Sequence, residues 1–386
     1  MRVQFISHEN IGIEKIGNHG GVGVSQRVVA EGMVARGHVV ELVVCSDREW
    51  TAVHNGVRIR AWVPRAGFMN GLYNMRKYRQ LAADFAREAG DAPSVTIVPD
   101  VCCVTCPYPL ATLKVIKFTC THLLQMYEGN GRPRWRTAIA EKLMVPRADA
   151  FMAISRRTAE VSAHLFNVPL ERIAVIPNAV DTHKFRPEAT TARDPNLLLY
   201  VGTVCEKKGP LDAVGALDRL VAKYPNLRMV MIGRDGVGYD GQPRFRDVIR
   251  RRYPQACANH VEFRDHVPND QLPDYYRKAG IVVLPSHYES FGRTTIEAMA
   301  CAAPVLRSDG PPAAEIIEHG VSGLLCRNKD PEDLARRMAQ ALDSPELRKR
   351  LGQAARQRVE SLYSRPVVAE ATEKYLEAAW EAKRGR

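Results

Sequence analysis

Glu289 and Glu297 frame the run ESFGRTTIE, with seven residues between them. Ile281–Leu284, just ahead, is a short apolar run that reads as a buried strand. Pro285 to Phe291 then reads as a turn, and a helix is expected to begin near Gly292. A helix N-terminus offers free backbone N–H groups and a positive partial charge, which suits a phosphate. Glycine at the turn lets a phosphate approach the backbone closely. Glu289 precedes this helix and Glu297 lies about a turn and a half inside it. Two carboxylates so placed can bracket a diphosphate, one toward a sugar and one toward a ribose, each accepting hydrogen bonds from hydroxyls. The same spacing also fits a solvated helix with one surface glutamate and one capping residue.

Other groups are weaker candidates. Gly20–Gly21–Val22–Gly23 is too short for a dinucleotide fingerprint, and it follows a long segment, His8–His19. It reads as a helix N-terminus able to approach an anionic ligand, or as a plain strand-to-helix turn. His122 follows the apolar run Val115–Thr121, and therefore stands at an expected strand end. Cys103 and Cys106, with Cys120 and His122 further on, have part of the spacing of a zinc site. The second half falls on an expected strand, not on a knuckle-like turn, so reduced buried thiols are the preferred reading. Arg132, Arg134, Arg136, Lys142 and Arg147 accompany Trp135 on and before a helix. Such a face is either ordinarily solvated or able to dock on an anionic membrane.

These residues need a scaffold, and the pattern around them supplies one. Short apolar runs alternate with helical segments along most of the 386 residues. In the first half the runs are Val3–Ser7, Val39–Cys45, Val57–Trp62, Val95–Val98, Val115–Thr121, Ala150–Ser155 and Ile173–Pro177. Helical segments between them include Ser25–Arg36, Tyr73–Ala89 and Arg136–Val145. Lys184–Asn196 is polar and carries prolines without periodicity, so it reads as a linker. The alternation restarts at Leu197–Val201 and continues through Arg228–Ile232, His260–Phe263, Ile281–Leu284 and Pro304–Arg307. Strand–helix alternation predicts parallel sheets covered by helices. The expected organisation is an α/β chain with Rossmann-like domains at 1–183 and 197–365, the linker 184–196 between them, and a terminal helix over 366–386 that crosses back to the first domain. Ligands of such sheets bind beyond the carboxyl ends of the strands, so two facing domains would leave a cleft for them.

Composition narrows the choice. No apolar run approaches the roughly 20 residues that span a bilayer. MRVQFISHENIGIEK reads as a first strand, not a signal peptide, and the simplest expected location is the cytoplasm. The nine cysteines are irregularly spaced, as expected of reduced thiols. The net charge of +12 favours anionic ligands, but it is spread over both halves without a basic arm. No nucleic-acid recognition motif accompanies it.

ESFGRTTIEAMACAAPV resembles the E-x7-E signature of the family-four retaining glycosyltransferases. Ile176–Pro177–Asn178–Ala179–Val180–Asp181 is similar to that family's "IPNGVD" segment. Tyr200–Val201–Gly202, with Glu206 and Lys208–Gly209, resembles its "VGR…EKG" loop. Gly20–Gly23 resembles its first glycine loop, and Ala313–Ala314–Glu315–Ile316–Ile317 with Gly320 and Gly323 resembles "PEIV…G…G". These segments occur in the family's order. The resemblance implies a fold of the GT-B type and a nucleotide-sugar donor held mostly by the second domain. It implies that Glu289 meets sugar hydroxyls, that Glu297 meets the ribose, and that backbone N–H groups of Phe291 to Thr294 hold the distal phosphate. Gly21, Gly23, Thr203, Ser290, Gly292, Arg293 and Thr294 join them as donor-binding positions. Lys208 would neutralise the diphosphate, and His122 would stand near the reacting sugar.

The resemblance further implies that no metal or other cofactor is needed, because lysine, arginine and a helix terminus supply the charge. The acceptor would be a glycan, a lipid-linked sugar or a small molecule, with nucleic acid excluded and membrane contact through the first domain. UDP is preferred to GDP as the donor base. One departure stands out. Thr203 occupies the place of the family's usual arginine after Gly202. A charge-assisted contact worth about 1.5–3 kcal/mol is thereby absent, with Lys207 or Arg293 as candidate substitutes. Arg293 is expected at the surface of the first helical turn. The resemblance favours same-face substitution, in which the leaving phosphate takes the acceptor proton, over a carboxylate nucleophile of the kind retaining glycosidases use. A nucleotide-sugar epimerase or phosphorylase of like architecture is the alternative.

Overall fold

The computed structural model describes residues 1–7, 21–65, 71–90, 92–99, 112–119, 135–239 and 241–385. His122, Gly20, Cys102, Cys103, Cys106, Cys120, Arg132 and Arg134 lie outside them. The chain divides into two compact units, Met1–Ala179 with Arg365–Arg386, and Val180–Ser364.

The first unit is built on β1 (Arg2–Ile6), α1 (Gly21–Ala35), β2 (Val39–Cys45), β3 (Trp50–His54), β4 (Val57–Trp62), α2 (Gly71–Arg87), β5 (Ser94–Pro99), β6 (Leu113–Phe118), α3 (Trp135–Met144), β7 (Ala150–Ala153), α4 (Arg156–Phe166) and β8 (Ile173–Val175). Its sheet runs β3-β4-β2-β1-β5-β6-β7-β8. All its pairings are parallel except β3 with β4. The central strands are buried on both faces, as strands covered by helices on each side must be, and polar residues among them such as Gln4 and Glu41 are bonded to each other. Val3, Phe5, Leu42, Val44, Ile97 and Val115 are part of one continuous core.

The run Trp50–His54 is absent from the strands expected above. It pairs antiparallel with β4 through a tight turn in which Asn55 and Gly56 have φ of 48° and 78°. Asn-Gly is the strongest short hairpin signal, so this strand was legible after all. Its half-exposed edge position gives it no continuous apolar run.

The second unit contains β9 (Asp194–Val201), α5 (Pro210–Leu220), β10 (Arg228–Ile232), α6 (Phe245–Arg252), α7 (Pro254–Asn259), β11 (Val261–Arg264), α8 (Leu272–Lys278), β12 (Ala279–Leu284), α9 (Arg293–Ala300), β13 (Val305–Ser308), α10 (Ala313–Ile316), β14 (Leu324–Cys326), α11 (Pro331–Leu342) and α12 (Pro345–Leu362). Its sheet is parallel throughout, in the order β11-β10-β9-β12-β13-β14. Leu198, Tyr200, Met229, Met231, Ile281, Val283 and Leu306 help to fill its core.

The boundary between units falls at Ala179/Val180, ahead of the stretch 184–196 read as a linker. That stretch lies within the second unit. Phe185 is buried, and the Arg193 guanidinium donates to the carbonyls of Tyr276, Ala279 and Cys301 at 2.8, 3.0 and 2.7 Å. Its residues 184–193 lack periodicity because they are anchored by side-chain-to-carbonyl bonds at the ends of α8 and α9, and 194–196 open β9.

The terminal helix α13 (Arg365–Arg384) belongs to the first unit. Val368, Ala369 and Leu376 join the first core. Gly32 of α1 is the point of closest approach, since a Cβ there would stand 2.7 Å from Cβ of Ala369. Tyr375 donates its hydroxyl to the Phe151 carbonyl at 2.7 Å, and Lys383 meets Asp149 at 2.8 Å.

Candidate functional site

Two loops at the carboxyl end of the second sheet, after β9 and after β12, carry most of the candidate residues. β9 and β12 are neighbours, so their loops emerge side by side. The first runs through Gly202 and Thr203 into a single turn, Glu206–Lys208, and ends at Gly209, which caps α5. Gly209 has a φ of 65°, and a Cβ there would stand 1.9 Å from the Pro285 carbonyl oxygen. Only glycine allows the two loops to touch at this point. The Lys207 carbonyl then accepts from the His287 amide at 2.8 Å, and the His287 ring meets Asp212 at 2.7 Å.

The second loop places Glu289 against the first. Lys208 Nζ donates to Glu289 Oε1 at 2.5 Å, and Ser286 Oγ donates to the same oxygen at 3.0 Å. Burial pushes the Glu289 carboxyl up, but Lys208, Arg307 and the Ser286 hydroxyl together hold it below the ordinary value. It is therefore an ionised acceptor at neutral pH. Tyr200, buried in the sheet below, donates to the Thr203 carbonyl at 3.1 Å and steadies the first loop. Thr203 and Lys207 are exposed, while Lys208 is half-buried.

The turn into α9 is made by Gly292, which has a φ of 101°. Beneath it lies Arg307, an arginine at the end of β13 that is only 2% exposed. Its Nη1 donates to the Phe291 carbonyl at 3.1 Å and to Thr295 Oγ1 at 3.3 Å. A Cβ at Gly292 would meet that nitrogen at 2.6 Å. Burial pushes the guanidinium down from its ordinary pKa, and Glu289 and Glu315 oppose this. Sequence reasoning missed Arg307 altogether. The signal was there, since an arginine inside the apolar run Pro304–Arg307 must be bonded if it is buried.

Ser290 and Thr294 are half-buried and Phe291 is buried, edge-on to Tyr363. Arg293, expected at the surface, instead turns along its helix to Glu297 at 2.7 Å. Glu297 is 3% exposed, and its other oxygen accepts from Tyr276 at 3.4 Å. Burial pushes its carboxyl up from the ordinary value against the pull of Arg293. The structure thus brings Lys208, Glu289, Ser290, Gly292 and Thr294 together at the strand ends, and sets Glu297 with Arg293 into the interior behind them. Gly21 and Gly23 open α1 in the other unit, Gly21 exposed and Gly23 buried.

The arrangement offers an anion three things: an ammonium, a helix N-terminus reached over a glycine, and a buried guanidinium beneath that glycine. Glu289 adds a carboxylate for hydroxyls. Among the described residues no group of three or more His, Cys, Asp or Glu is placed to hold a metal ion. Cys301 and Cys326 are free and buried, which pushes both thiols up to about 12.

Residues 181–358 match the family described as Glycosyl transferases group 1, and residues 19–184 match Glycosyltransferase Family 4. The D-inositol 3-phosphate glycosyltransferase of Thermobispora bispora is 30% identical over 236 residues, which make up 58% of this chain and 54% of that protein. The chain thus spans about half the length of that relative. Among solved structures, the sucrose-phosphate synthase of Thermosynechococcus elongatus superposes with a TM-score of 0.80 at 20% identity, covering 99% of both chains. HepE of Anabaena, solved with UDP-glucose, superposes with a TM-score of 0.73 at 15% identity, over 98% of this chain and 100% of that one. These structural likenesses establish the fold, and the two sequence matches, in tandem over the two parallel-sheet units, place the chain in the family-four-like glycosyltransferases of the GT-B fold.

Proposed function

We propose that this chain moves a sugar from a nucleotide diphosphate donor to a hydroxyl acceptor, with retention of configuration and without a metal. The observation that carries the reading is the pair of stitched loops, in which Lys208 and Glu289 meet beside the Gly292 turn. The distal phosphate sits on the first-turn N–H groups of α9, and Glu289 accepts from hydroxyls of the transferred sugar. As the donor C–O bond breaks, the acceptor oxygen bonds to the anomeric carbon on the same face. The acceptor proton passes to the departing phosphate oxygen. The protein positions the two partners and stabilises the charge that grows on the diphosphate. The acceptor is a glycan, a lipid-linked sugar or a small molecule. The UDP-glucose held by the Anabaena neighbour makes UDP the first base to test.

A thermal-shift panel of nucleoside mono- and diphosphates tests the donor half. Ligand at 100 times its dissociation constant stabilises by about 2.7 kcal/mol, a readable shift. Stabilisation by none of the diphosphates sinks the proposal. Incubation of the preferred donor with no acceptor then separates transfer from epimerisation or phosphorolysis, since accumulation of an epimer would favour the alternative.

A second observation supports contact with an anionic membrane surface. Trp135, Ile139 and Leu143 are 65%, 59% and 60% exposed, and they recur every fourth residue on α3. Lys142 and Arg147 are exposed beside them, while Glu141 is fully buried. The outward face is therefore apolar and basic, as an interfacial helix requires. Among the described residues no helix is long and apolar enough to cross a membrane. Sedimentation with anionic and with zwitterionic vesicles tests this. Equal recovery with both, or with neither, removes it.

A further inference from the structure

Lys208 meets Glu289 at 2.5 Å, so its charge is partly offset before a ligand arrives. Arg293 is likewise committed to Glu297, and Lys207 is solvent-exposed. The loop position that carries an arginine in the resembled family holds the uncharged, exposed Thr203. Yet a leaving diphosphate develops charge that fixed positive groups must meet. A further cation at the turn is Arg307.

Its setting is unusual for an arginine. It lies on β13, one strand in from the sheet edge, at 2% exposure, and it makes no ion pair of 4 Å or less among the described residues. Of its three guanidinium nitrogens only Nη1 has hydrogen-bond partners there, the Phe291 carbonyl and Thr295 Oγ1. Both lie at the turn and the start of α9, and a Cβ at Gly292 would stand 2.6 Å from Nη1, so the guanidinium packs directly against the glycine. The carboxylates that act on it are Glu289, already paired with Lys208, and half-buried Glu315. A buried charge in low dielectric acts over a longer range than one in water. Burying a charge is costly unless something is gained by it.

We infer that Arg307 is a positioning residue that holds the Gly292 turn in its phosphate-binding shape and supplies, from beneath, the fixed positive charge that Thr203 lacks. This rests on the donor reading above. It moves the family's arginine from the first loop to the strand on the far side of the second, with the charge meeting the same ligand through the glycine.

The test compares UDP with UMP, by titration calorimetry, in wild type and variants. Arg307→Met removes the charge at similar length. It should weaken UDP on the order of tenfold while UMP stays within about twofold, because UMP lacks the distal phosphate. Arg307→Lys keeps the charge without the fork and should stay within about threefold of wild type. Thr203→Arg in the Met background should restore the preference for UDP. Should Arg307→Met not fold, Arg307→Gln can still donate to the Phe291 carbonyl and reads the same ratio. An unchanged UDP-to-UMP ratio in the uncharged variant overturns the inference. So does an equal loss in Lys and Met, since the hydrogen bonds alone would then be the cause. Wild type with no preference for UDP or GDP over their monophosphates is a different result, and it overturns the donor reading itself.

Discussion

Lys208 Nζ and Glu289 Oε1 lie 2.5 Å apart, joining the loop after β9 to the loop after β12. Eighty residues of chain separate them, and the sheet order makes them neighbours. The pair keeps Glu289 ionised and holds the ammonium beside the Gly292 turn.

Lys208→Ala is therefore expected to lower turnover by about 10² to 10³, the usual effect of losing one preorganised charge. Lys207→Ala should remain near wild type, because that residue contributes its backbone carbonyl and its side chain is exposed. Steady-state kinetics of both variants on one donor decides. A crippled Lys207→Ala, or two normal enzymes, would show that other groups hold the diphosphate.

Glu297 gives a pH test. Burial raises its carboxyl in the folded chain above the ordinary value. A carboxyl raised on folding contributes stability that is present below its unfolded value and is lost as pH rises through its folded value. Glu297→Gln cannot lose it. The Tm of the variant minus that of wild type should therefore increase from pH 4 toward neutral. A difference that is flat or falls would show that Arg293 dominates the pair. The same variant tests the ribose role, since unchanged UDP and GDP affinities would rule it out.

Turnover is expected to persist in EDTA, because Lys208, Arg307 and the α9 terminus supply positive charge where a metal would otherwise stand. Complete loss restored by Mg²⁺ or Mn²⁺ would contradict this.

Gly32→Val should destabilise the first unit by roughly 1–3 kcal/mol, as overpacking does. Even its Cβ would meet Ala369 at 2.7 Å and the Arg365 carbonyl oxygen at 3.2 Å, neither of which yields easily. Chemical denaturation monitored for each unit checks the effect. Wild-type stability in the variant would mean that α13 is not held against α1.

Much of this protein is written locally. The runs Val39–Cys45 and Arg228–Ile232 are strands with the bounds that their apolar residues suggest. A strand buried on both faces shows itself as a short continuous apolar run. Glycine before Arg293 marks the helix start by its own conformational freedom. Trp50–His54 was also legible, through Asn55–Gly56, to a reading that weighed turn chemistry above apolar content.

Other features exist only once distant segments meet. Only the motif that sets Lys208 beside Gly209 tells it from Lys207 in the sequence; the position of β12 beside β9 gives Lys208 its partner, Glu289. Arg293 looks like a surface residue until the interior position of Glu297 draws it along the helix. The polar run 184–193 lacks any period because its anchors are the carbonyls of Tyr276, Ala279 and Cys301, far away in sequence. Arg307 reads as a flaw in a strand until Phe291 and Thr295 close over it. In each case the deciding term is desolvation. A charge or polar group is placed by the partners left to it once water is removed, and those partners are set by the order of strands in the sheet, not by residues next in sequence.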